Sequence, residues 1–166
     1  QPMTNIMRAL RRIVEDFPQV ELVYPAHLSP VVQECAHRYL DGLANVHLIA
    51  PLTADEMHNL MARSYLVMTD SGGLQEEAPA LGKPVLVLRR ETERPEAVAA
   101  GTVQLAGTEE EHIFSMAETL LKDPAAYAAM AHAVNPYGDG QACRRIAEGI
   151  LYHFGLRQAP PDAFGA

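Results

Sequence analysis

The run Tyr65-Leu66-Val67-Met68 leads into Thr69-Asp70-Ser71-Gly72-Gly73-Leu74-Gln75-Glu76-Glu77, so an apolar, strand-like segment gives way to hydroxyls, two glycines and a helix-like segment bearing paired acids. A junction of this composition can seat an anion. Glycine lets the backbone approach a ligand closely, and the unpaired N–H groups and positive dipole end of the following helix favour a phosphate. Leu74, Ala78 and Leu81 recur at i, i+4 and i+7, a face expected to pack on a sheet, while Gly73 and Glu77 share the neighbouring face. Glu77 therefore comes about one helical turn beyond the phosphate position, where a carboxylate accepts hydrogen bonds from sugar hydroxyls. The plainer alternative is a tight strand-to-helix turn with a solvated acid pair, since two glycines after a strand are a weaker fingerprint than a full phosphate loop.

Other side chains are weighed in the same way. Arg94 lies at the mouth of a short helix and reads as a ligand contact or as a surface ion pair, whereas Arg89 and Arg90 read as a solvated pair. His27, in the turn Pro25-Ala26-His27, either donates to a phosphate or caps the next helix. The remaining histidines show no metal-like spacing and are read as structural or solvated. Glu76 is expected to face solvent or a neighbour, without an acid/base role. Pro79, inside the expected helix, deletes a backbone hydrogen bond and predicts a kink.

The elements that must position these groups alternate regularly. Thr4 is expected to cap a helix running to Asp16, with Ile6, Leu10, Ile13 and Phe17 at helical spacing before Pro18. Strands are expected at 20–24, 46–49, 66–69, 84–88 and 103–106. Between them, helices are expected from Ser29-Pro30, from the capping box Thr53 to Glu56, from the glycine turn to Gly82, and over 92–100. A second capping box, Thr108 to Glu111, opens a helix to about Leu121, and helices over 124–133 and 141–154 complete the series. Strands separated by helix-length segments imply parallel strands joined by right-handed crossovers, hence a doubly wound, Rossmann-like α/β domain. In such sheets ligands bind beyond the carboxyl ends of the strands, where 25–27, 69–73 and 89–95 converge. The chain opens on a helix, and a doubly wound domain ordinarily places a strand before it; that strand is expected upstream of Gln1. The domain is expected over 1–155, with 156–166 a flexible tail.

With 166 residues, 48% of them hydrophobic, the chain can form one domain burying roughly 70% of its unfolded surface. A formal charge of −8 argues against a nonspecific nucleic-acid or anionic-membrane partner, and no apolar run reaches the length of a membrane span. Cys35 and Cys143 read as reduced core thiols of a cytoplasmic chain, and the seven methionines as core filler.

The motifs, in order, are Tyr24 to Pro30, Thr69 to Pro79, Leu81 to Val87, Thr92 to Ala97, Ala100 to Val103 and Asn135 to Gly140. In this sequence and spacing, from about Asn5 to Leu151, the chain resembles the C-terminal half of the non-hydrolysing UDP-N-acetylglucosamine 2-epimerases. The resemblance implies a GT-B-type C-terminal domain that holds a UDP-sugar against a partner N-terminal domain. It also implies inversion at carbon 2 by elimination and re-addition of UDP, with no redox cofactor. By that resemblance Ser71, Gly72 and Gly73 hold the diphosphate, Glu77 the ribose hydroxyls, and Arg94 stands near the nucleotide. His27 is tied to a phosphate, or to a second, regulatory UDP-sugar site, and Met57 packs against uracil. Leu52 and Met57 replace a polar and an aromatic residue of some relatives. No catalytic residue and no metal site falls on this chain; the catalytic carboxylates belong to the absent N-terminal domain. Homodimerisation and a role in cell-surface polysaccharide synthesis are further implications. Two rivals stay open: a GT-B glycosyltransferase domain, and a noncatalytic nucleotide-sugar-binding module.

Overall fold

A computed structural model describes residues 2–164. Helix α1 spans Pro2–Asp16; of the expected stripe Leu10 and Ile13 are buried and Ile6 is part-buried, and Met7, Ala9 and Val14 are buried beside them. Thr4 lies inside it and is no cap, because Pro2 already occupies a helical position. Then follow β1 (Leu22–Pro25), α2 (Pro30–Leu40), β2 (Val46–Ile49), α3 (Ala54–Arg63), β3 (Val67–Thr69) and α4 (Gly72–Ala80). The chain continues through β4 (Val85–Val87), α5 (Pro95–Ala100), β5 (Val103–Leu105), α6 (Glu110–Lys122), α7 (Pro124–Ala131) and α8 (Ala142–His153).

Every strand pairing is parallel, as the alternation requires. The strands form two hydrogen-bonded groups, β1 with β2 and β3-β4-β5. Among the described residues no strand pairs with both β1 and β3. Helix α1 joins the groups instead, packing on α2 at one side and α6 at the other. Met68 of β3 reaches the same apolar cluster as Leu22 and Tyr24 of β1, Met7 and Leu10 of α1, and Leu40 of α2.

Strand β4 shows why the architecture has two helical layers. Leu86 and Leu88 pack with Ile13, Ile113, Phe114 and Leu120 of the α1/α6 layer, while Val85 and Val87 pack with Met61, Ala78 and Ala97 of the α3/α4/α5 layer. Alternating residues thus serve opposite faces, and all three positions of β4 are buried. The Thr53 capping box forms as expected: the Thr53 hydroxyl accepts from the Glu56 N–H, and the Glu56 carboxylate accepts from the Thr53 N–H.

The second expected box, from Thr108, does not form. Helix α6 begins at Glu110, so Glu109 is the capping residue and the box is out of register by one position. The Glu109 carboxylate is drawn instead to Arg90 and Asn5. Leu81 falls beyond the end of α4 and is exposed, so only Leu74 and Ala78 of the expected stripe pack on the sheet. Pro79 is the next-to-last residue of α4; it ends the helix within a residue and does not bend a continuing one. Cys143 is no core thiol: it is exposed on α8, which buries none of its residues, while Cys35 is part-buried. Beyond α8, Arg157 pairs with Glu148 at 2.5 Å and Asp162 lies 3.6 Å from Arg144. No helix among the described residues is long and apolar enough to cross a membrane.

Candidate functional site

The site begins where β3 ends. The Thr69 hydroxyl accepts from the Ser71 N–H at 3.0 Å, turning the backbone sharply out of the strand. Ser71 is the N-cap of α4 in extended conformation, and its side chain makes no capping hydrogen bond. The first amides of an α-helix have no acceptor within the helix, so Gly72 and Gly73 present N–H groups and positive dipole at the end of β3. A β-carbon on Gly72 would collide with Glu93 Oε1, whose carboxylate is also held by Arg89 at 2.9 Å. Gly72 is therefore a position of close approach, and the group now approaching it is an anion.

One turn on, Glu77 turns Oε1 toward Gly73, 3.7 Å from where a β-carbon would stand. The neighbouring face anticipated for these two residues is thus realised. Met57 of α3 is part-buried with Leu74 against the cluster beneath α4, and His58 Nε2 lies 2.9 Å from Glu77 Oε2. Arg94 comes to the same place from the loop after β4. Its Nε donates to Glu76, the principal cause of its raised pKa, and its N–H donates to the Thr92 hydroxyl at 3.0 Å. Glu76, expected at solvent or a neighbour, has Arg94 as that neighbour. Arg89 and Arg90, read as a solvated pair, are exposed, and each holds an acid, Glu93 and Glu109.

Ser71, Gly72, Gly73, Glu77, Met57 and Arg94 are therefore brought together by α3, α4 and the 89–95 loop. His27 is not joined to them. It lies just past β1, where Nδ1 accepts from the Ser29 N–H at 3.1 Å and its carbonyl accepts from Gln33 at 2.9 Å. Its Nε2 then carries the proton and faces outward. Burial, with Asp70 adding to it, pushes the Tyr24 phenol above its ordinary value. Leu52, ahead of the Thr53 cap, is part-exposed.

Two functional features escaped the sequence reading. Gln75 is fully buried, donates from Nε2 to the Ser71 carbonyl at 3.2 Å, and accepts from the Thr92 hydroxyl at 2.6 Å. It ties the start of α4 to the turn that presents Arg94. The signal available was a lone amide on a helix face otherwise apolar. The second feature is the 135–140 turn. It launches α8, since Asp139 accepts from the Gln141 N–H at 3.0 Å. It also walls, with Glu76, Glu77 and Arg145, a cavity of about 620 Å³ beside α4. A forked pair between Arg145 and both oxygens of Asp139, at 2.8 and 2.6 Å, holds that carboxyl well below the usual carboxylate range.

Residues 1–151 match the family model described as UDP-N-acetylglucosamine 2-epimerase. A Bacillus subtilis UDP-N-acetylglucosamine 2-epimerase is 56% identical over 164 residues, covering 99% of this chain and 43% of that protein. Among solved structures, an S. aureus protein in complex with UDP superposes with a TM-score of 0.91 at 45% identity, covering 99% of this chain and 45% of that one. A Neisseria meningitidis UDP-GlcNAc 2-epimerase bound to UDP-GlcNAc gives a TM-score of 0.84 at 45% identity, covering 90% and 40%. The chain spans less than half the length of the relatives it matches.

Proposed function

The chain belongs to the UDP-N-acetylglucosamine 2-epimerase family, and we propose that it is the UDP-holding half of a longer enzyme that interconverts UDP-N-acetylglucosamine and UDP-N-acetylmannosamine. The observation that carries the proposal is the start of α4. Ser71, Gly72 and Gly73 offer a hydroxyl and unpaired amides at a positive helix end, and the Glu77 carboxylate stands one turn away, facing Gly73. A diphosphate on the amides puts a ribose within reach of Glu77, and a base near Met57. Arg94, already charged and anchored by Glu76, supplies a cation at the same mouth. His27, on the neighbouring strand end, offers an Nε2–H to a phosphate across the cleft.

Elimination and re-addition require UDP to stay bound while its bond to the sugar is broken, because a released intermediate is lost. The groups gathered at α4 suit retention. Under this proposal the catalytic carboxylates come from an N-terminal domain, and a strand from that region fills the gap between β1 and β3. Homodimerisation, a cytoplasmic setting and a role in cell-surface polysaccharide synthesis belong to the same proposal and rest on the family resemblance. The glycosyltransferase reading is not favoured, since the matched family is one of epimerases.

The test uses the full-length protein that carries this chain. Calorimetric titration with UDP is expected to show weakened binding in both Glu77→Gln and Ser71→Ala, by about 10- to 150-fold each if one charge-assisted hydrogen bond is lost. Unchanged affinity in both variants would remove these residues from the site. NMR of the product is expected to show the gluco sugar turning into the manno sugar without an acceptor.

A further inference from the structure

We infer that His58 is a positioning residue for the nucleotide's ribose, acting through Glu77; this rests on the proposal that Glu77 accepts hydrogen bonds from the ribose. An ionised carboxylate only accepts, so the contact at 2.9 Å from His58 Nε2 to Glu77 Oε2 has the proton on Nε2. The imidazole therefore engages one carboxylate oxygen and leaves the other, Oε1, turned toward Gly73 and the start of α4. Among the described residues His58 is the one side chain hydrogen-bonded to Glu77.

The placement follows from the neighbours. Met57 packs beneath α4 with Leu74, which fixes the rotation of α3 and brings the next residue, His58, onto the outer edge of α4. Glu76 is engaged by Arg94 and does not compete for the ring. A free glutamate has several rotamers to freeze when a ligand arrives, and a carboxylate already held loses less entropy on binding. Both partners are about half exposed, at 51% and 46%, so the benefit is modest. An exposed pair of this kind supports about a fivefold change in affinity at most.

The experiment titrates full-length protein with UDP and with a UDP analogue lacking both ribose hydroxyls, in the unaltered protein and in His58→Ala, His58→Gln, Glu77→Ala and the double alanine variant. His58→Ala is expected to weaken UDP by about three- to fivefold, to leave the analogue's affinity unchanged, and to add nothing in the Glu77→Ala background. His58→Gln, whose Nε2 reaches the same carboxylate, is expected to restore most of the loss. Retained analogue binding doubles as proof that each variant is folded. An equal loss for both ligands, an additive loss in the double variant, or no loss at all would overturn the inference while leaving the ribose contact of Glu77 standing. An unaltered protein that binds both nucleotides alike would overturn the ribose contact itself, and this inference with it.

Discussion

Replacing Gln75 with leucine in the full-length protein is expected to weaken UDP binding by about 5- to 30-fold, through residues that Gln75 touches and the ligand does not displace. The side chain is fully buried and makes two hydrogen bonds, donating to the Ser71 carbonyl and accepting from the Thr92 hydroxyl. Leucine keeps the size and the helix propensity while deleting both. The Ser71 carbonyl retains a second partner, the Gln75 N–H at 3.4 Å, so the group that loses its partner is the Thr92 O–H, whose oxygen still accepts from the Arg94 N–H at 3.0 Å. An unsatisfied buried polar group costs about 1–3 kcal/mol, and the part-burial of this contact puts it in the lower half, about 1–2 kcal/mol. Binding can lose no more than the bridge supplied in holding Ser71 and the Arg94 turn together, and that range sets the stated fold-change. Calorimetry with UDP measures it, with thermal melting to show that the variant is folded. Thr92→Val is expected to cost a similar amount, and the double variant less than the sum of the two single losses, because the bond they share cannot be removed twice. Additive losses, or a folded Gln75→Leu protein that binds UDP normally, would refute the bridge.

Gly72→Ala is expected to leave the melting temperature nearly unchanged, since Gly72 has no positive φ and the colliding atom is the mobile end of Glu93, yet to weaken UDP by about tenfold or more as the methyl fills the approach to the amides. Undiminished binding would show that the ligand does not approach at Gly72. Thr53→Ala is expected to destabilise the protein by about 1 kcal/mol in urea unfolding. The Glu56 carboxyl is held below its ordinary value, first by the Thr53 N–H and then by the Thr53 hydroxyl. A depressed carboxylate stabilises the fold above its unfolded pKa and loses that contribution as pH falls through its folded value. The stability gap between the unaltered protein and Glu56→Ala is therefore expected to close in acid below the ordinary glutamate range; a gap that persists there would contradict the cap.

Much of the molecule was readable because the interactions concerned are local. The Thr53 box closes over three residues, the β2 limits agree with the expected 46–49, and Gly73 and Glu77 meet because they are four residues apart on one helix. Alternation of apolar strands with helical segments likewise leaves little choice but parallel pairing with crossovers. The misreadings share the opposite character. Thr108 has a box-like spacing, but Glu109 is claimed by Arg90, 19 residues away, and Asn5, 104 residues away, and the helix starts one position later.

The primary structure alone was enough to define the order of strands and helices and the family. Folding in three dimensions settled which groups meet: Gln75 spanning Ser71 and Thr92, Glu93 standing over Gly72, His58 holding Glu77, and α1 bridging two strand groups across unpaired edges. Short-range pattern is encoded in neighbouring residues, whereas a hydrogen bond between α4 and the 89–95 loop, or between α3 and α4, exists only after packing on β3 and β4 has set those elements a few ångströms apart.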